Sequence, residues 1–397
     1  MNNRIIAFFI IILLSSCVTY NYKKQGFVTK KEYLKEIPFT YENGFIFIPV
    51  TIQEKEYNFL LDTGAELNLI APTISSELNV KQLKKGTVSN GSDSVKKVER
   101  VQINSIKIAG IEFRETVSLI WDVSKFGKYI RCKKIDGIIG NNLMRKANWQ
   151  IDYQKQTIRI TDNSERFEIS SNSKKVKMNS EEVGNIHFNL RIGQKSNYFT
   201  FDTGFNGFIQ TGDTTLLKNN PSITKVGIKG FNFTGAKQGE THFKKLDSFQ
   251  INEQLFKRPS YLLIKPGNSS LLGNDFYENY IITIDWKNDY LILDKTEKLD
   301  SILPNIYEVG FFTDYENNTV TVANIYDKSK LVGKIKPNSK VLKINNIDLI
   351  ELKITGKFCD LWKKEWKKLI TNDILKIVIE SDGIQQTVEI NKIKTPW

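Results

Sequence analysis

Two histidines, three cysteines, three methionines and nine prolines are all that 397 residues hold of those types. His187 and His242 lie in no motif that pairs an imidazole with a nucleophile or a metal, so each reads as an ordinary surface or core residue. Cys17, Cys132 and Cys359 are far apart and form no Cys-x-x-Cys pair, which removes the common zinc frameworks. No metal and no cofactor are expected. Acidic residues are outnumbered, 44 against 57 Lys and Arg, for a net charge of +13. The lysines are spread along the chain, and the densest set, Lys363, Lys364, Lys367 and Lys368, falls on the solvated face of a predicted helix. That pattern argues against a nucleic-acid partner. Long apolar runs are missing too: residues 5–14 are unbroken but only ten long, where a membrane-spanning helix needs about 20. What remains, 40% hydrophobic and 25% charged, is an ordinary globular composition with enough length for two or three domains.

The apolar run follows one positive charge in residues 1–4 and ends in Leu14-Ser15-Ser16-Cys17. Those are the proportions of a secretory signal segment. The last four residues resemble the lipobox of bacterial lipoproteins. The resemblance implies that residues 1–17 are a signal peptide and that the Cys17 thiol carries a lipid. The chain would then be exported and held on a bacterial cell membrane. A plain secretory signal with an incidental cysteine is the competing reading. Residues 18–38 are polar and read as a tether. Export would leave Cys132 and Cys359 in an oxidising compartment. A bond between them would have to cross two domains, so none is expected.

Self-similarity organises the middle of the chain. One copy runs from Phe45-Ile46-Phe47-Ile48 to Leu60-Leu61-Asp62-Thr63-Gly64, the other from Ile186-His187-Phe188 to Thr200-Phe201-Asp202-Thr203-Gly204. Both alternate at period two around a polar turn, the pattern of a β-hairpin. Each copy closes on an apolar pair and Gly-Asn, at Gly140-Asn141 and Gly273-Asn274. Twelve residues separate Gly140 from Asp152, and twelve separate Gly273 from Asp285. Residues 84–97 and 225–240 are polar and contain glycine, and either stretch suits a hairpin flap.

One Asp-Thr-Gly is weak evidence, but two at matched positions, each after an apolar strand, are strong. Apolar-apolar-Asp-Thr-Gly with a later apolar-apolar-Gly resembles the aspartic protease clan of retropepsins and pepsins, over roughly residues 40–300. The resemblance implies a mainly β, two-lobed acid protease fold, with lobes at 39–165 and 180–300. It makes Asp62 and Asp202 the catalytic pair. Two close carboxylates share one proton, because both ionise together only at high cost. The ionised member takes a proton from water and the protonated member supplies the substrate carbonyl, so no covalent intermediate is needed. Thr63, Gly64, Thr203 and Gly204 would support the pair, the threonines by exchanging hydrogen bonds and the glycines by close backbone approach. Phe205 departs from the pattern: Ala65 holds the equivalent place in the first copy.

Beyond residue 304 there is no third copy. Lys336-Pro337-Asn338-Ser339-Lys340-Val341-Leu342 resembles the turn and strand of bacterial PDZ domains, with Asn-Ser in place of the usual Gly-Asp. It implies a small α/β PDZ-like domain over 305–397, with Val309, Gly310 and Phe311 as its peptide-binding loop. The combined reading is a membrane-anchored aspartic endopeptidase acting on polypeptides as a monomer. Two rival readings are a catalytically silent peptide-binding lipoprotein and a transport or adhesion lipoprotein that uses the lobes as structure.

Overall fold

The computed structural model describes residues 22–78, 80–89, 95–180, 184–217, 222–232, 235–296 and 306–393. Cys17 and the signal-like segment lie outside the described residues.

In the first lobe, Phe45–Ile52 and Lys55–Leu61 form a hairpin in which Phe47 faces Leu60. The short strand Gly137–Ile139 runs parallel beside Lys55–Leu61 and antiparallel to Asn68–Ile70. The second lobe repeats the arrangement. Ile186–Ile192 and Lys195–Phe201 pair, and Leu271–Leu272 runs parallel to the latter and antiparallel to Ile209–Thr211. Apolar residues occupy both inserted strands because each is hydrogen-bonded on both edges and covered on both faces. Ile138, Ile139 and Leu272 are fully buried.

A six-stranded sheet joins the lobes. Its centre is Asn148–Asp152 against Tyr280–Asp285, with Ile151 opposite Ile282. Thr157–Thr161 and Tyr290–Lys295 flank this pair, one from each repeat. Trp149 is fully buried there, its ring stacked on Phe113 and its indole N–H given to the Met144 carbonyl at 2.7 Å.

The segment expected to be a tether enters the fold. Leu34–Pro38 is an edge strand of this sheet, paired with Thr157–Thr161, and Phe27–Val28 pairs with Ile111–Ile120. Of Leu34–Pro38 only Ile37 is buried. An edge strand held by backbone bonds leaves little hydrophobic signal, so its polarity resembles that of a linker.

The C-terminal region has its own core, in which Val320, Val341, Phe358, Trp362 and Ile377 meet. Strands Val309–Asp314, Thr319–Tyr326, Lys340–Ile344, Ile374–Ser381 and Ile384–Asn391 form its sheet, with the helix Phe358–Leu369 packed against it. This sheet continues into the second lobe: Lys225, Val226 and Gly227 pair with Tyr326, Ile325 and Asn324. Gly227 permits the contact. Its φ is 135°, and a Cβ there would lie 2.3 Å from the Ala323 carbonyl oxygen.

The expectation that Cys132 and Cys359 stay unpaired is overturned. They form a disulfide with 5.9 Å between Cα atoms, across 227 residues of sequence. The C-terminal region docks directly on the first lobe and so brings them together. The Tyr315 N–H donates to the Lys128 carbonyl at 2.8 Å, Tyr129 packs on Phe312, and Glu42 receives both Lys363 and Arg131.

Candidate active site

Asp62 and Asp202 stand just past the ends of equivalent strands. Their backbone N–H groups donate to Ile139 and Leu272 of the inserted strands, each at 3.0 Å. Past each Asp the chain turns sharply, and the Gly64 and Gly204 amides return to Oδ1 of their own Asp at 2.8 Å. The glycines are required by what lies opposite. A Cβ on Gly64 would fall 2.5 Å from an Asp202 carboxylate oxygen, and one on Gly204 2.5 Å from Asp62. The two carboxylates are therefore adjacent across the interface, each packed against the turn of the other.

The threonines lock the turns together. Each hydroxyl accepts the other threonine's backbone N–H at 3.0 Å, and each donates at 2.8 Å across the interface, Thr63 to the Phe201 carbonyl and Thr203 to that of Leu61. All four bonds are buried, so losing one hydroxyl leaves a buried N–H and a buried carbonyl unpaired, at about 1–3 kcal/mol each. Thr63→Val is expected to lower stability by roughly 2–6 kcal/mol on that basis, and Thr63→Ser by far less. Chemical denaturation of the two variants checks this; equal midpoints would show that the hydroxyl bonds carry nothing.

Asn141 and Asn274 have a role that sequence reading missed. Their side-chain amides donate at 2.7 Å to the Thr63 and Thr203 carbonyls, and their backbone N–H groups donate to Ala65 and Phe205. Each clamps its own turn from behind. Asn274 also reaches Gly44 at 2.8 Å and accepts the Tyr153 hydroxyl, while Asn185 donates to Gly64. The signal that could have found them is the repeated Gly-Asn, which in the linear chain marks only the close of each repeat.

Asp62 is 8% exposed and Asp202 9%. Burial raises the proton affinity of both, and the charge of Asp62 raises that of Asp202 further, well above the usual carboxylate range. A buried pair of this kind retains one proton where isolated aspartates are ionised. Leu60, Leu61 and Phe201 are fully buried behind it, and Phe201 meets the Tyr277 ring at 4.4 Å.

Phe205 does not disturb the second turn. Its ring is half-buried in space left by two glycines: a Cβ on Gly207 or Gly273 would strike it at 2.4 or 2.5 Å. The Gly204–Asp202 bond matches that of the first lobe.

Both polar stretches form hairpins, Lys81–Ser89 with Val95–Ile108 and Ile223–Asn232 with Gly235–Ile251. The second is the one extended by the C-terminal sheet. Val309, Gly310 and Phe311 lie within a paired strand rather than a loop. Val309 faces Ile325, and only a register shift between Gly310 and Phe311 interrupts the ladder. Burial of Val309 and the packing of Phe311 on Trp366 hold them there. Among the described residues no group of three or more His, Cys, Asp and Glu is placed to hold a metal ion.

Residues 48–143 match a family model described as aspartyl protease. The match contains most of the first hairpin, Asp62-Thr63-Gly64, the inserted strand and Asn141. No curated protein matches the chain. In its first lobe the chain is thus similar to aspartyl proteases, and the turn that carries the similarity is the one that holds Asp62.

Proposed function

We propose that this chain is an aspartic endopeptidase in which Asp62 and Asp202 together activate water against a peptide carbonyl. The supporting observation is the near-symmetric placement of the two buried, adjacent carboxylates, each on an Asp-Thr-Gly turn of its own lobe. With one proton on the pair, the ionised carboxylate accepts a proton from water as the oxygen attacks. The protonated carboxylate donates to the carbonyl oxygen, and the proton from water later leaves with the amine. Because one chain supplies both turns, the monomer is complete. The test is hydrolysis of a peptide library by the soluble chain beside Asp202→Asn; no turnover by the wild type across acid and neutral pH overturns the reading.

The C-terminal region is proposed as a PDZ-like module that holds an extended polypeptide. Its order of strands and helix and the Gly310 irregularity support this. Export with a lipid on Cys17 is also part of the proposal, favoured by the lipobox-like residues and by a disulfide that suits an oxidising compartment. Cys17→Ala is expected to abolish lipid attachment and shift the protein from the detergent phase to the aqueous phase. Equal mass and equal partitioning of the two forms would sink the anchor.

A further inference from the structure

Lys265 is 8% exposed, and among the described residues no carboxylate acts on its ammonium. It follows the strand Gln254–Ile264, and its backbone N–H is fixed to the Thr211 carbonyl at 2.9 Å. The side chain reaches between two parts of the second lobe. Its Nζ lies 5.7 Å from the centroid of the Phe205 ring, the residue directly after Asp202-Thr203-Gly204. On the other side it faces the hairpin: a Cβ on Gly230 would meet Nζ at 3.7 Å and, among the described residues, nothing else within 4 Å. Lys229 of the same hairpin donates to the Pro266 carbonyl at 3.1 Å, which ties the hairpin to the loop after Lys265. The charges acting on Lys265 are those of Lys225 and Lys229, both repulsive.

An ammonium taken out of water with only like charges for company is costly, and it persists where an anion completes it. We propose that Lys265, assisted by Lys225 and Lys229, forms a specificity pocket that takes an acidic side chain, Asp or Glu, of the substrate close to the scissile bond. This rests on the proteolytic reading above and names its substrate class. Three converging features carry it. The charged groups that act there are all cationic, the ammonium lies between the hairpin and the residue that follows the Asp202-Thr203-Gly204 turn, and glycine at 230 sets no side chain against it. Burial and the two neighbouring lysines lower the proton affinity of Lys265 to a pKa of about 7, and an arriving carboxylate restores its charge.

The test uses peptide pairs that differ only by Glu or Gln, placed in turn at three positions on either side of the scissile bond. For the wild type, kcat/KM is expected to favour Glu by about 10-fold or more at one position, on the scale of a charge-assisted contact. Lys265→Met should bring that ratio to about one, Lys265→Arg should retain it, and Lys265→Glu should turn it toward Lys-containing peptides. Binding of the same pairs to Asp202→Asn, read by fluorescence anisotropy, should show the same preference without turnover. Cleavage with no Glu preference at any position, or a preference unchanged in Lys265→Met, overturns the pocket and leaves the protease reading intact. Absence of all cleavage overturns the protease reading, and the anisotropy ratio then decides the pocket alone.

Discussion

Asp62→Asn and Asp202→Asn are each expected to reduce peptide hydrolysis by about 10³-fold or more, with the double variant scarcely worse than either single one. Non-additivity follows from the geometry: one shared proton and one water join the two carboxylates, so neither completes the reaction alone. Both turns should survive the change, because Asn retains an oxygen for the Gly64 or Gly204 amide. Wild-type activity should trace a bell against pH. The acid limb reports protonation of the ionised carboxylate, and the alkaline limb reports loss of the shared proton. Burial raises both proton affinities, so the alkaline limb should lie above the range of an exposed aspartate.

The raised proton affinities also have a sign in stability. A carboxyl whose folded pKa is raised binds more protons folded than unfolded over the interval between the two values. Its contribution is therefore fully present below the unfolded pKa and is lost as pH rises through the folded one. Asp202→Asn removes that loss, about 1.4 kcal/mol for every tenfold difference in proton affinity between the folded and unfolded chain. Its melting temperature should exceed the wild type's increasingly as pH rises. Substantial turnover by either folded single variant would show that the two aspartates are not the catalytic pair.

Reduction of Cys132–Cys359, or its replacement by Cys132→Ser, is expected to lower stability by about 2–5 kcal/mol. The loop it closes spans 227 residues, which places the chain-entropy effect at the upper end of that range. The consequence should reach the active-site side of the molecule. The bond pins the helix Phe358–Leu369 to the first lobe, while the strand Thr319–Tyr326 of the same region pairs with the second-lobe hairpin. Without the bond, the contacts left between the C-terminal sheet and the first lobe include the Tyr315–Lys128 and Asn43–Tyr315 hydrogen bonds, the Tyr129–Phe312 packing and a few ion pairs, which are individually weak. Amide hydrogen exchange should then rise along Lys225, Val226 and Gly227 as well as around Tyr315. Identical unfolding curves with and without reductant would show that the disulfide does not brace the C-terminal region.

Local chemistry was legible because the sequence repeats it. An apolar strand, Asp-Thr-Gly, and an apolar pair before Gly-Asn occur twice at matched spacing, and each feature has a physical cause within a few residues. Gly64 and Gly204 leave room for the opposite carboxylate, Thr63 and Thr203 exchange their bonds, and Leu61 and Phe201 cover the rear. Phe205 looks disruptive in isolation because its space is made by Gly207 and Gly273, the latter 68 residues away. Leu34–Pro38 resembles a linker because an edge strand is held by backbone bonds that hydropathy does not record.

The features that were not legible all involve partners distant in the chain. The order of residues determined two equivalent turns with one aspartate each, since strand periodicity and turn chemistry are short-range. Docking of the last ninety or so residues across both lobes decided three other features. It joined Cys132 to Cys359, extended the second-lobe hairpin by a strand, and left the first-lobe hairpin outside that sheet. Folding of the second lobe on itself placed Lys265 between Phe205 and Gly230. Such contacts depend on surfaces that exist only once each part has folded, and no periodicity or motif in a linear chain encodes which of them will meet.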